Sequence, residues 1–101
     1  MEYLVEFEVD IPTGTPESEV EDRQNAEAVA AGTLADQGHL VRLWKAPDAS
    51  GGSTVLGLYR AQSRAELDGL LGSLPLSEWM HTTVTPLRHH PNDPAAARAI
   101  A

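Results

Sequence analysis

The sequence predicts an α+β plait: a four-stranded antiparallel sheet with two helices on one face, in the order β-α-β-β-α-β. Three observations lead there. Apolar residues alternate over residues 1–11, the mark of a strand with one buried face. They recur at helical spacing over 16–38 and again over 64–74. Three further short strand patterns, at 39–46, 54–61 and 81–87, fill the remaining places. Strands and helices interleave without an internal repeat or low-complexity run. That order suggests the ferredoxin-like arrangement. One domain over 1–91 and a C-terminal tail over 92–101 follow.

In the first strand Tyr3, Val5, Phe7, Val9 and Ile11 point one way, and Glu2, Glu6, Glu8 and Asp10 the other; Leu4 breaks the pattern. The acidic side is expected to face solvent. Pro12–Thr15 is a turn, with Thr15 expected to cap a helix whose first residue is Pro16. Glu17 and Glu19 suit its positive end, and Gly38 ends it in a left-handed cap. In 39–46, Leu40, Arg42, Trp44 and Ala46 share one face, and Val41, Leu43 and Lys45 the other. Both faces are bulky and apolar, so the strand is expected to be covered on both sides. Residues 47–53 form a loop. Gly57, inside the next strand, points to a bulge or a close backbone approach. Ser63 and Glu66 make a capping box for the second helix, whose buried stripe is Leu67, Leu70, Leu71 and Leu74. Residues 75–80 are a turn with apolar anchors. Pro86 places the last strand at a sheet edge or bend. In the tail, Asp93-Pro94 could cap a short alanine-rich helix, either frayed or packed on another chain.

The first helix carries the clearest chemical signal. At 100° per residue, Val20, Ala31 and Leu34 fall in a narrow sector around Glu27, with Ala30 at its edge. A carboxylate therefore sits at the centre of the inward face. Stripped of hydration, such a group holds its proton more tightly, which suits a general base. The alternative is structural: Arg23, one turn earlier, could simply pair with Glu27. On the second strand Arg42 and Trp44 lie two apart. A cation beside a flat apolar wall could hold a carboxylate, or the pair could be a snorkelling arginine and a packed tryptophan.

Composition narrows the partners. A chain of 101 residues with 42% hydrophobic and 22% charged residues holds one modest core. The net charge of −8 argues against nucleic acid or an anionic membrane, both of which need a basic face. No stretch is long and apolar enough to span a membrane, and the N-terminal segment carries acids where a signal peptide needs bases. A cytoplasmic protein is the expectation. With no cysteine, thiolate catalysis and cysteine metal sites are excluded. His39, His81, His89 and His90 offer no metal-ligand spacing, and the glycines form no phosphate-binding fingerprint, so neither metal nor cofactor is expected.

Two segments, GHLVRLW at 38–44 and LLGSLPLSEWMHTTVTPLRHHP at 70–91, carry a family pattern. Leu74-Pro75-Leu76, then Trp79-Met80, then Val84-Thr85-Pro86-Leu87 and His90-Pro91, together with Leu43-Trp44 followed by the basic Lys45, resemble muconolactone delta-isomerase and its relatives. The resemblance covers nearly the whole chain to Pro91. It implies a ferredoxin-like subunit in a ring-like decamer, with active sites between subunits. It also implies a cofactor-free proton shift that moves a double bond in a lactone bearing a carboxylate. The acid of the family helix, seven residues before the leucine of the L-x-x-x-G ending, falls on Glu27. This sequence departs from the family at Ala28 (usually Lys), Arg42 (often His), Ser77-Glu78 (usually Phe-Pro) and His89 (commonly Arg).

The expectation is therefore a homo-oligomer, decamer or dimer, acting on a small anionic molecule in aromatic hydrocarbon catabolism. Glu27 would be the base and His90 a donor to the developing negative charge. Arg42, Trp44 and Lys45 would bind the substrate, although a regular strand puts Arg42 and Lys45 on opposite faces. The alternatives are a non-catalytic binding or accessory module, and an isomerase or cyclase acting on a different, less anionic ring.

Overall fold

The computed structural model describes residues 1–47 and 53–95. Strand β1 (Glu2–Val9) leads to helix α1 (Glu17–Asp36), strands β2 (Leu40–Pro47) and β3 (Ser53–Arg60), helix α2 (Arg64–Gly72), a single 3₁₀ turn (Ser77–Trp79) and strand β4 (Met80–Leu87). All neighbouring strands are antiparallel, in the order β2-β3-β1-β4. This is the ferredoxin-like plait. Pro86 lies in an edge strand, where a missing backbone donor is tolerated. Residues 48–52 of the expected loop and residues 96–101 of the expected tail helix lie outside the described residues.

The register decides which side chains share a face. Tyr3, Val5 and Phe7 pair with Tyr59, Gly57 and Val55. Their side chains form one core cluster with Leu34 of α1 and Leu67 and Leu71 of α2, so both helices cover this one face. Leu74, Leu40 and Ala61 complete the cluster. The other face presents Leu4, Leu56 and Leu58 with Arg42 and Trp44, since Leu4 pairs with Leu58, Arg42 with Leu58 and Trp44 with Leu56.

Three local expectations change. The strand alternation stops at Val9, and both Val9 and Ile11 are exposed. Thr15 does not cap α1: its hydroxyl donates to the Pro12 carbonyl 2.6 Å away, inside the turn, and Pro16 takes the cap position with no side-chain bond. The expected single face for Leu40, Arg42 and Trp44 is broken by an irregularity between Leu40 and Arg42. One extra residue there reverses the alternation. Leu40 therefore points into the core, opposite Tyr59, while Arg42 and Trp44 point away from it.

The helix ends follow the sequence signals. Gly38 has φ +82°, with the His39 N–H donating to Leu34 O (2.9 Å) and the Gly38 N–H to Ala35 O (3.0 Å), the paired bonds of a left-handed cap. Ser63 Oγ accepts from the Glu66 N–H at 3.1 Å, and Glu66 Oε1 accepts from the Gln62 N–H at 3.1 Å. Asp93 Oδ1 accepts from the Ala95 N–H at 3.0 Å, so the cap at the start of the tail forms. Gly57 is no bulge. Its bare Cα lies under the Tyr59 ring, and a Cβ there would fall 2.6 Å from Tyr59 Cε2. Close approach is the reason for this glycine.

Candidate active site

Arg23 and Glu27 stand one turn apart on α1, on the side facing the segment after α2. The peptide unit between Pro75 and Leu76 lies between them. Arg23 Nη1 donates to the Pro75 carbonyl at 3.3 Å, and the Leu76 N–H donates to Glu27 Oε1 at 3.0 Å. Both groups belong to one planar peptide and point in opposite directions, so two side chains of the helix fix its orientation. Arg23 is further held by Glu19 (3.5 Å), by Glu78 (3.7 Å) and by the Trp79 ring, whose centroid lies 4.4 Å from the guanidinium carbon. The expected alternative of an Arg23–Glu27 pair is thus not realised: among the described residues Glu27 makes no ion pair.

Glu27 is half-buried and opens onto a pocket of about 290 Å³. Phe7, Val9, Leu43, Val55, Leu76 and Met80 supply most of its apolar wall, and Ala28 and Ala31 its helix side. Gln24, Glu27 and Tyr59 bring its polar side chains. That volume sits at the small end for ligand sites, matching a single small ring. The main-chain bond occupies one carboxylate oxygen and aims the carboxyl group. The other oxygen has no hydrogen-bond partner among the described residues. A wider hollow of about 500 Å³ runs past Met1, His39 and Arg60, but its imidazole is already tied to the Arg60 carbonyl at 2.9 Å.

Of the other residues singled out from the sequence, none is among the described residues that line this pocket. Lys45 comes nearest: it pairs with Val55, a pocket residue, and lies on the same sheet face two positions beyond Leu43. Arg42 and Trp44 lie on the opposite face, the guanidinium carbon 5.2 Å from the tryptophan centroid and Trp44 42% exposed. His90 follows the end of β4 at which Leu87 pairs with Glu2, whereas the pocket lies where Met80 pairs with Val9. Seven residues of strand, roughly 23 Å, separate those ends. The His90 ring is turned to its own turn, with Nδ1 accepting from the Asn92 N–H at 2.9 Å. Within one chain, Glu27 and His90 do not meet.

Tyr59, Gln24 and the Leu76 N–H were not anticipated. Gln24 was open to detection, since it lies three residues before Glu27 on the same helix side. Tyr59 lies in a strand with apolar residues on both faces, so only the register shows which way it points. Burial, and then the nearby Glu27 charge, push the Tyr59 hydroxyl's pKa up to about 12, so it stays protonated at neutral pH.

An antiparallel plait whose helix face carries a ring-sized apolar pocket with one oriented carboxylate has the shape of a small-molecule site. The comparisons with known proteins narrow that class. The family model described as muconolactone delta-isomerase matches residues 1–93. The muconolactone delta-isomerase of Cupriavidus pinatubonensis is 32% identical over 92 residues, covering 91% of this chain and 97% of its own length. Muconolactone delta-isomerase 1 of Acinetobacter lwoffii is 29% identical, covering 91% and 93%. The chain belongs to the muconolactone delta-isomerase family. A crystal structure of muconolactone isomerase shares the fold with a TM-score of 0.80 at 23% identity, over 93% of this chain and 95% of the other.

Proposed function

We propose that this protein shifts a carbon–carbon double bond in a small lactone or related carbonyl compound by proton transfer, without a cofactor. The observation that carries the proposal is Glu27, held by one main-chain N–H and facing a ring-sized apolar pocket. The carboxylate takes a proton from carbon conjugated with the carbonyl and returns it elsewhere on the same skeleton. Apolar walls keep water from competing for that proton and strengthen charge interactions inside. The pocket takes the ring, and Lys45, paired with Val55, meets a carboxylate left outside it. Arg42, Trp44 and His90 contribute only if a second copy of the chain brings them to the pocket, which fits the assembly between subunits that the family resemblance implies.

The relatives named for muconolactone make that lactone the first substrate to try. Purified protein is expected to convert muconolactone without added metal or cofactor, followed by the change in ultraviolet absorbance as the double bond moves relative to the carbonyl. A second reading, a binding module without chemistry, draws support from the absence of any cation among the described residues that line the pocket. Saturable binding of muconolactone with no change in its spectrum would favour that reading.

A further inference from the structure

The Tyr59 ring is placed by three contacts. It lies over Gly57, whose missing Cβ makes room for ring carbon Cε2. It tilts at 58° to the Phe7 ring with centroids 6.0 Å apart, and Leu43 closes the same space over Gly57. From position 59 the ring therefore runs along β3 towards Val55, the pocket end of the strand. The residue is only 3% exposed. Yet none of the side-chain hydrogen bonds among the described residues uses its hydroxyl, and no buried side-chain oxygen or nitrogen there lacks a partner. The hydroxyl thus opens to the cavity instead of being sealed in the core. No hydrogen bond joins it to Glu27, whose charge nonetheless acts on it. A gap remains between the two groups.

The chemistry of the proposed reaction says what belongs in that gap. Glu27 takes a proton from the carbon γ to the carbonyl. The C–H electron pair becomes the new double bond, the old double bond moves next to the carbonyl carbon, and the carbonyl pair settles on oxygen. Return of the proton to the α carbon completes the shift, with nothing oxidised or reduced. Between those steps the oxygen carries negative charge and needs a donor. The Leu76 N–H cannot serve, because Glu27 already holds it. We infer that Tyr59 is a second catalytic residue of this pocket, its hydroxyl donating to the substrate's carbonyl oxygen while the proton resides on Glu27. The inference rests on the proposed reading of the pocket. The hydroxyl's pKa of about 12 keeps it a donor across the neutral range.

The test is Tyr59→Phe, which keeps the ring over Gly57 and removes one oxygen. With muconolactone, kcat is expected to fall roughly 100- to 1,000-fold with KM nearly unchanged, as for loss of one donor to a developing oxyanion. A binding measurement works whether or not muconolactone is turned over. Tetronic acid is a five-membered lactone that is an enolate at neutral pH, and Glu27→Gln imitates the proton-bearing carboxyl group. In that background, Tyr59→Phe is expected to weaken tetronate binding about tenfold or more, while affinity for neutral γ-butyrolactone stays nearly the same. Wild-type kcat and unchanged tetronate affinity in Tyr59→Phe, with Glu27→Gln inactive, would overturn the role of Tyr59 and leave the pocket's reading standing. Full turnover by Glu27→Gln would instead remove the reading beneath it.

Discussion

Replacing Glu27 with Gln is expected to lower turnover of the lactone by about 10³-fold or more, the range that a positioned base contributes. The substitution separates chemistry from structure. Glu27 has a structural task, because its Oε1 accepts the Leu76 N–H. A glutamine carbonyl accepts that bond equally well, so the peptide after Pro75 keeps its place between Arg23 and residue 27. What glutamine cannot do is take up a proton. The variant should unfold at nearly the wild-type denaturant concentration and bind substrate with similar affinity while failing to convert it. Steady-state kinetics beside urea denaturation would show both halves. A folded Glu27→Gln variant with full turnover would leave Glu27 only this structural bond and remove it from the chemistry.

The second large effect falls on stability. Leu67 is fully buried (0% exposed) and joins α2 to the cluster of Tyr3, Val5 and Phe7 beneath it. Leu67→Ala removes three carbons from a packed interior that refills only partly, and is expected to cost about 2–5 kcal/mol. Set against a total stability of about 5–15 kcal/mol for a domain of this kind, that is a large share. The expected fall in Tm is roughly 10–20 °C. The site should feel it too. Leu74, buried in the same cluster, immediately precedes Pro75 and Leu76, so a loosened α2 loosens the main-chain donor that aims Glu27. Chemical denaturation measures the change. A loss below about 1 kcal/mol would mean that α2 contributes little to the core.

The plait was legible because its helices and strands differ in period. The alternation at Tyr3, Val5 and Phe7, the leucine stripe of α2 and the glycine at 38 each carry a local physical signal. The helical wheel placed Glu27 among Val20, Ala31 and Leu34, and the same helix side forms one wall of the pocket. The second strand misled. Counting in twos from Leu40 gives one face for Leu40, Arg42 and Trp44, yet a single irregularity after Leu40 turns the last two away from the helices. Such a shift depends on pairing with β3, which short-range pattern does not contain. Tyr59 was hidden for a related reason. Val55, Leu56, Leu58 and Tyr59 are bulky on both faces, so no alternation marks the side that meets Glu27. Main-chain donors such as the Leu76 N–H leave no trace in residue identity at all.

The structure also redistributes the expected binding groups. Lys45 shares the sheet face of Leu43 and pairs with Val55, whereas Arg42 stacks on Trp44 on the other face. Ala28 lines the helix side of the pocket, at the position where the family resemblance implies a lysine. A pocket whose described lining is mostly apolar and holds no cation suits a substrate that inserts its ring and leaves its anionic arm in water.

A crystal structure of the Glu27→Gln variant soaked with muconolactone would show where the ring sits. The lactone ring should lie in the pocket, with residue 27 beside the carbon that loses its proton and the carboxylate arm towards Lys45. A ring bound instead against Trp44 on the open sheet face, away from residue 27, would contradict the proposed function.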